Sequence, residues 1–166
     1  MPPYTVRLAC PEDSEAIRRI YNREVTESTA TFDLVPRSPE AQDRWMQEHA
    51  GAYAAVVAVD AATGGVAGFA SLSAYRSRPG YSTTVEDSVY VDDEHRGRGV
   101  GRLLLAEIVR LAEASGFHAV MARISGPSEA SLALHRACGF ELVGVEREVG
   151  RKFGRWLDVS LMQRLL

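Results

Sequence analysis

Six residues, Arg96-Gly97-Arg98-Gly99-Val100-Gly101, have types and spacing that could hold an anion. Three glycines among them allow positive-φ backbone and let N–H groups press onto a ligand. The amphipathic stretch that opens at Val100 adds the positive end of a helix dipole. The result is a cradle suited to a pyrophosphate. A nucleotide P-loop would need Gly-Lys-Ser/Thr at its end, whereas Gly101 is followed by Arg102 and Leu103. A dinucleotide fingerprint wants G-x-G-x-x-G after a first strand, but Gly97, Gly99 and Gly101 alternate and fall past mid-chain. Cys10 and Cys138 lie far apart, with neither C-x-x-C nor histidine spacing, so the sequence predicts no metal site and no disulfide framework. Both cysteines are expected as small buried hydrophobes.

The elements that must position this cradle can be read from periodicity. Tyr4–Ala9 alternates as a strand, and Pro11, Glu12, Asp13 and Ser14 open a helix with Ile17, Ile20 and Tyr21 on one face. Residues 27–39 are rich in Ser, Thr and Pro and predict a surface loop, followed by a helix from Ser38 to about Ala50. Tyr53–Val59 and Val66–Ala74 read as an antiparallel hairpin, and Thr83–Val91 as a further strand entering the cradle. Beyond it, Leu104, Leu105, Ile108, Leu111 and Ala112 line a helix that Gly116 stops. A strand over Ala119–Ile124, a helix from about Ser128 to Cys138, and closing strands at Glu141–Glu148 and Trp156–Leu161 follow. Gly150–Gly154 is the expected connection between the last two. Hairpins at both ends with a crossover between them predict an α+β domain over residues 1–166, with a mixed sheet flanked by helices.

Composition limits the partners. Of 166 residues, 46% are apolar and 25% charged, and the formal net charge is −3 with both signs interspersed. No field for nucleic acid or a membrane surface is evident, and small molecules are the expected partners. No apolar run approaches the length of a bilayer span, and a cytoplasmic location is expected.

The pattern Arg-x-x-Gly-x-Gly at Arg96–Gly101 resembles the acetyl-CoA loop of the GNAT acetyltransferases, and Leu132-x-x-His135-x-x-x-Gly139-Phe140 resembles their second signature. The order of elements is similar to the GNAT fold over nearly the whole chain. More narrowly, Val85–Val91 and Lys152–Val159 resemble the phosphinothricin and methionine-sulfoximine N-acetyltransferases. Glu27–Phe32 matches a Ser/Thr-rich entrance loop of that subfamily. The resemblance implies an acetyl-CoA-dependent N-acetyltransferase acting by direct ternary-complex transfer on a small amino-acid-like amine, of the phosphinothricin, methionine sulfoximine or methionine sulfone type. It also implies a homodimer. Protein N-termini, other small amines, and a non-catalytic acyl-CoA sensor are the alternatives.

The resemblance gives the residues their expected roles. An acceptor ammonium must lose a proton before attacking a thioester, and Glu86, on the strand feeding the cradle, is the expected base. The competing reading pairs Glu86 with Arg76 or Arg78. Asp87 and Ser88 alternate in facing, so at most one should share its side. The backbone at Val89, Tyr90 and Val91 is expected along the pantetheine arm and at the thioester carbonyl. Gly97, Arg98, Gly99, Val100, Gly101 and Arg102 would donate to the pyrophosphate, with Arg96, Arg98 and Arg102 as charge partners. His135 stands where many members carry a thiolate-protonating tyrosine, and a helix-face histidine satisfied by neighbours is the other reading. Ser128 replaces the family's usual asparagine at the cofactor, and Ser131 is expected to share that contact. Arg76, Ser77 and Arg78 would meet the acceptor's oxygens and Phe32 would pack against it, reaching from a neighbouring subunit if the chains pair.

Overall fold

A computed structural model describes residues 3–166; Met1 and Pro2 lie outside it. The chain opens with β1 (Tyr4–Leu8) and a one-turn 3-10 segment at Pro11–Asp13 that runs into α1 (Ser14–Glu27). Asp13 fastens that corner, accepting the Cys10 N–H at 2.9 Å and the Arg7 guanidinium at 2.6 Å. Ser38 caps α2 (Pro39–Glu48), its hydroxyl accepting the Ala41 N–H at 3.1 Å. Then come β2 (Ala55–Asp60), β3 (Val66–Ala74), β4 (Thr84–Val91), α3 (Val100–Ala114), β5 (Ala119–Ser125), α4 (Glu129–Ala137), β6 (Glu141–Lys152) and β7 (Arg155–Leu165).

The strands form one seven-stranded sheet in the order β1-β2-β3-β4-β5-β7-β6. Every pairing is antiparallel except β4 with β5, because α3 crosses between them and returns the chain in the same direction. One sheet face packs on Leu104, Leu105, Ile108 and Ala112 of α3 through Val85, Val120, Ala122 and Met162. The other takes Ile17, Ile20, Tyr21 and Val25 of α1 against Val57 and Phe69. These faces match the two helical periodicities in the sequence, since burial of each apolar stripe is what drives the layers together.

β4 and β5 stay paired only at Thr84–Ala119, Val85–Val120 and Glu86–Met121. From Asp87 onward β4 keeps β3 on one side and, among the described residues, has no strand on the other. The parallel pair therefore opens into a wedge in the middle of the sheet.

The C-terminal hairpin is longer than its composition predicts. Pairing continues through Arg151–Trp156 and Lys152–Arg155, so the turn is only Phe153-Gly154, with φ of 52° and 71°. Two positive-φ residues make the type I′ geometry that matches strand twist, which lets a phenylalanine occupy an unfavoured region. Cys10 is half-buried rather than core, while Cys138 is buried.

Candidate active site

The wedge holds a cleft of about 660 Å³. Alternation along β4 divides its wall: Val89 and Val91 pack with the α3 core and Tyr90 with the α1 core. Asp87 therefore belongs to the α3–α4 side, and Glu86 and Ser88 to the α1–α2 side. Ser88 alone shares the side of Glu86, as the alternation predicts, and because the split strands open the sheet to both faces Asp87 also lines the cleft.

At the α3 end, Gly97 and Gly99 have φ of 72° and 83°. Gly99 caps α3 with no side chain, so no side-chain cap occupies the first turn's N–H groups, which could serve an anion. A Cβ on Gly101 would lie 3.1 Å from Leu134 Cδ2, so this glycine serves the close approach of α3 and α4. Arg96 bonds to Glu24, to Asp93 at 2.9 Å and to the Val91 carbonyl at 3.3 Å, pinning the cradle to α1. Its guanidinium is committed to carboxylates. Arg98 and Arg102 are exposed and lie outside the cleft wall.

α4 contributes Ser128, Ser131 and His135 to the wall. His135 is buried, with Nδ1 2.8 Å from the Ser131 carbonyl and Nε2 3.0 Å from Asp87 Oδ2. Both neighbours are hydrogen-bond acceptors, an arrangement that suits the imidazolium form. Burial works against that charge, but the Asp87 carboxylate and the Ser131 carbonyl outweigh it and raise the histidine's pKa. Neither ring nitrogen is left free. Asp87 Oδ1, by contrast, is buried with no hydrogen-bond partner among the described residues.

A pantetheine thioester carrying a pyrophosphate fits these features: a glycine cradle, a length of β4 released from its neighbour, and an orphaned acceptor farther along the same strand. The acetyl-CoA expectation thus has a physical counterpart at both ends of the cleft.

On the other side, Glu86 is half-buried, and among the described residues it forms no ion pair with Arg76 or Arg78. Burial raises its pKa, and the nearby Arg123 and Arg76 charges only partly oppose that. Arg123 was not singled out from sequence. It stands in the cleft wall, two residues along β5 from the strand partner of Glu86, and grips Glu146 with two bonds of 2.8 and 2.9 Å. Its signal was a lone charge inside an apolar strand. Arg76, Ser77 and Arg78 lie outside the cleft, in a separate concavity with Tyr75 and Tyr81. They sit there because the β3–β4 loop turns away after Ala74, leaving only the Arg76 charge to reach Glu86.

The loop after α1 closes this end. Ser28, Thr29, Thr31 and Phe32 line the cleft, and Phe32 packs on Gly150 of the same chain, where no Cβ could fit. Lys152, 3% exposed, donates to the Thr31 carbonyl at 2.8 Å and the Glu24 carbonyl at 3.3 Å, and burial lowers its pKa. The Tyr21 hydroxyl adds a 3.0 Å contact to Thr31 Oγ1. The Lys152 and Gly150 anchors join residues more than a hundred positions apart, a relation that no local pattern carries.

Known proteins place the chain. Residues 6–161 match the acetyltransferase (GNAT) domain model. The phosphinothricin N-acetyltransferase of Streptomyces coelicolor is 42% identical over 97% of this chain and 95% of its own length. An L-methionine sulfoximine/L-methionine sulfone acetyltransferase of Pseudomonas aeruginosa is 41% identical over 96% of this chain and 92% of its own. A phosphinothricin acetyltransferase from Sinorhizobium meliloti, solved in complex with acetyl-CoA, superposes with a TM-score of 0.93 at 42% identity, covering 99% of this chain and 89% of that one. With its wedge, its glycine cradle and these matches, the chain belongs to the GNAT family: it is an N-acetyltransferase that uses acetyl-CoA.

Proposed function

We propose that this enzyme acetylates the amine of a small amino-acid-like acceptor, of the phosphinothricin, methionine sulfoximine or methionine sulfone type, by direct transfer within a ternary complex. The observation that carries this reading is Glu86, a half-buried carboxylate with no ion pair among the described residues, beside the basic groups of Arg123 and Arg76 where β4 and β5 part. The names of the two similar enzymes support the acceptor class.

Acetyl-CoA, when bound, supplies an electrophilic thioester carbonyl and a thiolate leaving group. Gly97, Gly99 and the first turn of α3 would hold its pyrophosphate, while Arg96 keeps that loop in place. Ser128 and Ser131 would add hydroxyl contacts from α4. The β4 backbone from Val89 to Val91 offers N–H and C=O groups along the released edge, where an N–H can polarise the carbonyl. Glu86 takes the proton of the acceptor's ammonium, and its raised pKa makes it a stronger base near neutral pH. Ser88 and Phe32 frame the amine, and Arg76, Ser77 and Arg78 would receive the polar end of an acceptor that extends beyond the cleft. Because both nitrogens of His135 are engaged, thiolate protonation from it would require breaking a bond to Asp87 or Ser131, and solvent is the simpler donor.

We read residues 1–166 as one domain, and its working form as a cytoplasmic homodimer. Two unpaired thiols suit a reducing compartment. The edge strand β6 exposes Leu142, Val143, Val145 and Val149, the turn adds Phe153 and the start of β7 adds Trp156, 55% and 61% exposed. Such an edge is a surface for a partner. Phe32 already serves its own chain's cleft, so pairing would act by bracing the hairpin beneath it.

A thiol-release assay over a panel of amines tests the acceptor. CoA release with amino-acid sulfoximines, sulfones or phosphinates, and not with peptides, is expected; turnover confined to peptide N-termini, or none above hydrolysis, would sink it.

A further inference from the structure

Arg123 stands in the cleft wall and is gripped by Glu146, which does not line the cleft, so the pair presents its cationic member to the cavity. Its terminal nitrogens donate to the two Glu146 oxygens at 2.8 and 2.9 Å. A guanidinium carries more N–H donors than one carboxylate can take. The fork leaves the Nε–H and a hydrogen on each terminal nitrogen, and among the described residues nothing else accepts from Arg123. We propose that Arg123 binds the α-carboxylate of the acceptor and so selects amino acids over simple amines. This rests on the amino-acid reading of the acceptor given above, and assigns one group of that acceptor to one residue.

The strands fix the position. Glu86 is paired with Met121 across the parallel β4–β5 ladder, and Arg123 lies two residues farther along β5. Residues two apart share a face, so Glu86 and Arg123 are on the same side, offset along the strand by roughly 7 Å. Burial raises the Glu86 pKa against the pull of Arg123, and the bonds to Glu146, helped by the Glu86 charge, raise that of Arg123. The two groups are thus within electrostatic reach, although no bond joins them among the described residues. An α-amino acid carries its ammonium and its carboxylate on the same carbon. With the ammonium at Glu86, the carboxylate falls toward Arg123, and the side chain is left to run out toward Arg76 and Arg78.

The surroundings suit a carboxylate. The cofactor's pyrophosphate is expected away from here, at Gly97 and Gly99. The Arg123 side chain is 29% exposed, open enough to meet a ligand, and Ile124 and Val159 stand in the same wall. Apolar neighbours strengthen a charge-assisted bond by lowering the local dielectric. Glu146 also fixes the plane of the guanidinium, so less freedom is lost when a second carboxylate docks. A zwitterionic acceptor then finds a carboxylate for its ammonium and a guanidinium for its carboxylate.

Steady-state kinetics test the assignment with the fastest amino-acid acceptor of the thiol-release panel and its decarboxylated amine, which for methionine sulfone is 3-(methylsulfonyl)propan-1-amine. Arg123→Met should lose about 10- to 100-fold in kcat/KM for the amino acid, the size of one charge-assisted hydrogen bond, and far less for the amine. The influence of Arg123 on Glu86 applies to both acceptors and cancels in their ratio. Equal losses for the two, or a wild type that turns over the amine as well as the amino acid, would overturn the proposal while leaving the acetyltransferase reading intact. Failure of every amino acid in the wild type would instead remove the acceptor class on which the proposal rests. The wild-type protein gives a second reading that does not depend on the variant's folding. In its CoA complex the Arg123 Nε–H resonance should move on adding the amino acid and stay with the amine, and a resonance that ignores the amino acid would refute the contact.

Discussion

Glu86 owes its chemistry to surroundings that no linear pattern displays. Burial lifts its pKa, and Arg123 pulls it down from across the opened strands. Glu86→Gln removes the proposed proton acceptor without touching the cradle, so turnover should fall about 10²–10⁴-fold with acetyl-CoA affinity retained. An unchanged rate across pH would exclude the residue as base. Activity carried by a deprotonated Glu86 is lost as pH falls through its raised pKa. Arg123→Met takes away a charge that lowers that pKa, so the acid limb of kcat/KM should move to higher pH. A limb that stays put, or moves down, contradicts this coupling. Gly99 is a different case: a Cβ there meets no protein atom within 4 Å, yet its φ is 83°. The cost of Gly99→Ala is therefore backbone strain of about 1–2 kcal/mol, which should appear as weaker CoA binding in calorimetry with little change in fold by circular dichroism.

Among the elements, the β6–β7 hairpin and the loop after α1 act as one. Lys152 reaches from the hairpin to two loop carbonyls, and Gly150 leaves room for Phe32. Replacing a buried cation by an apolar chain of similar length is often neutral for global stability, but the loop would lose its pin. Lys152→Met should therefore raise the acceptor's KM several-fold, leave that of acetyl-CoA alone, and speed hydrogen exchange in residues 28–33. Equal changes in both constants would instead indicate general damage. The same hairpin shows why element boundaries were only partly readable. Gly150 and Gly154 suggested a five-residue connection, yet cross-strand pairing carries both strands to within two residues of each other.

For the whole molecule, the Asp87–His135 pair ties β4 to α4 and should register in stability. A histidine whose folded pKa is raised above 6.5 stabilises fully below that value, and the contribution is lost as pH rises through the folded pKa. Thermal unfolding of the wild type should thus weaken from about pH 6.5 upward more steeply than that of His135→Gln, measured by scanning calorimetry; parallel curves would show that the pair does not titrate. Association belongs to this level too. If β6 forms the dimer edge, Val145→Lys should yield a monomer mass in light scattering and lower activity, whereas an unchanged mass would move the interface elsewhere.

The periodic stripes, the caps and turns, and the glycine spacing of residues 96–101 were local, and local patterns dictated the helices, most strands and the cradle. Val85–Val91 could be read as a strand because β-branched residues and alternation act over a few neighbours. What it does at Asp87 could not be read, because the parting of β4 from β5 depends on how α3 and α4 seat on the sheet. That divergence lets Glu86 and Asp87, on opposite faces of β4, line one cleft, while the β3–β4 loop leaves Arg76 and Arg78 outside it. It also brings Arg123 in, and spends both nitrogens of His135 on a carboxylate and a carbonyl. Charge, burial and hydrogen-bond partners are properties of three-dimensional neighbours, and these neighbours come from strands and helices far apart in the chain.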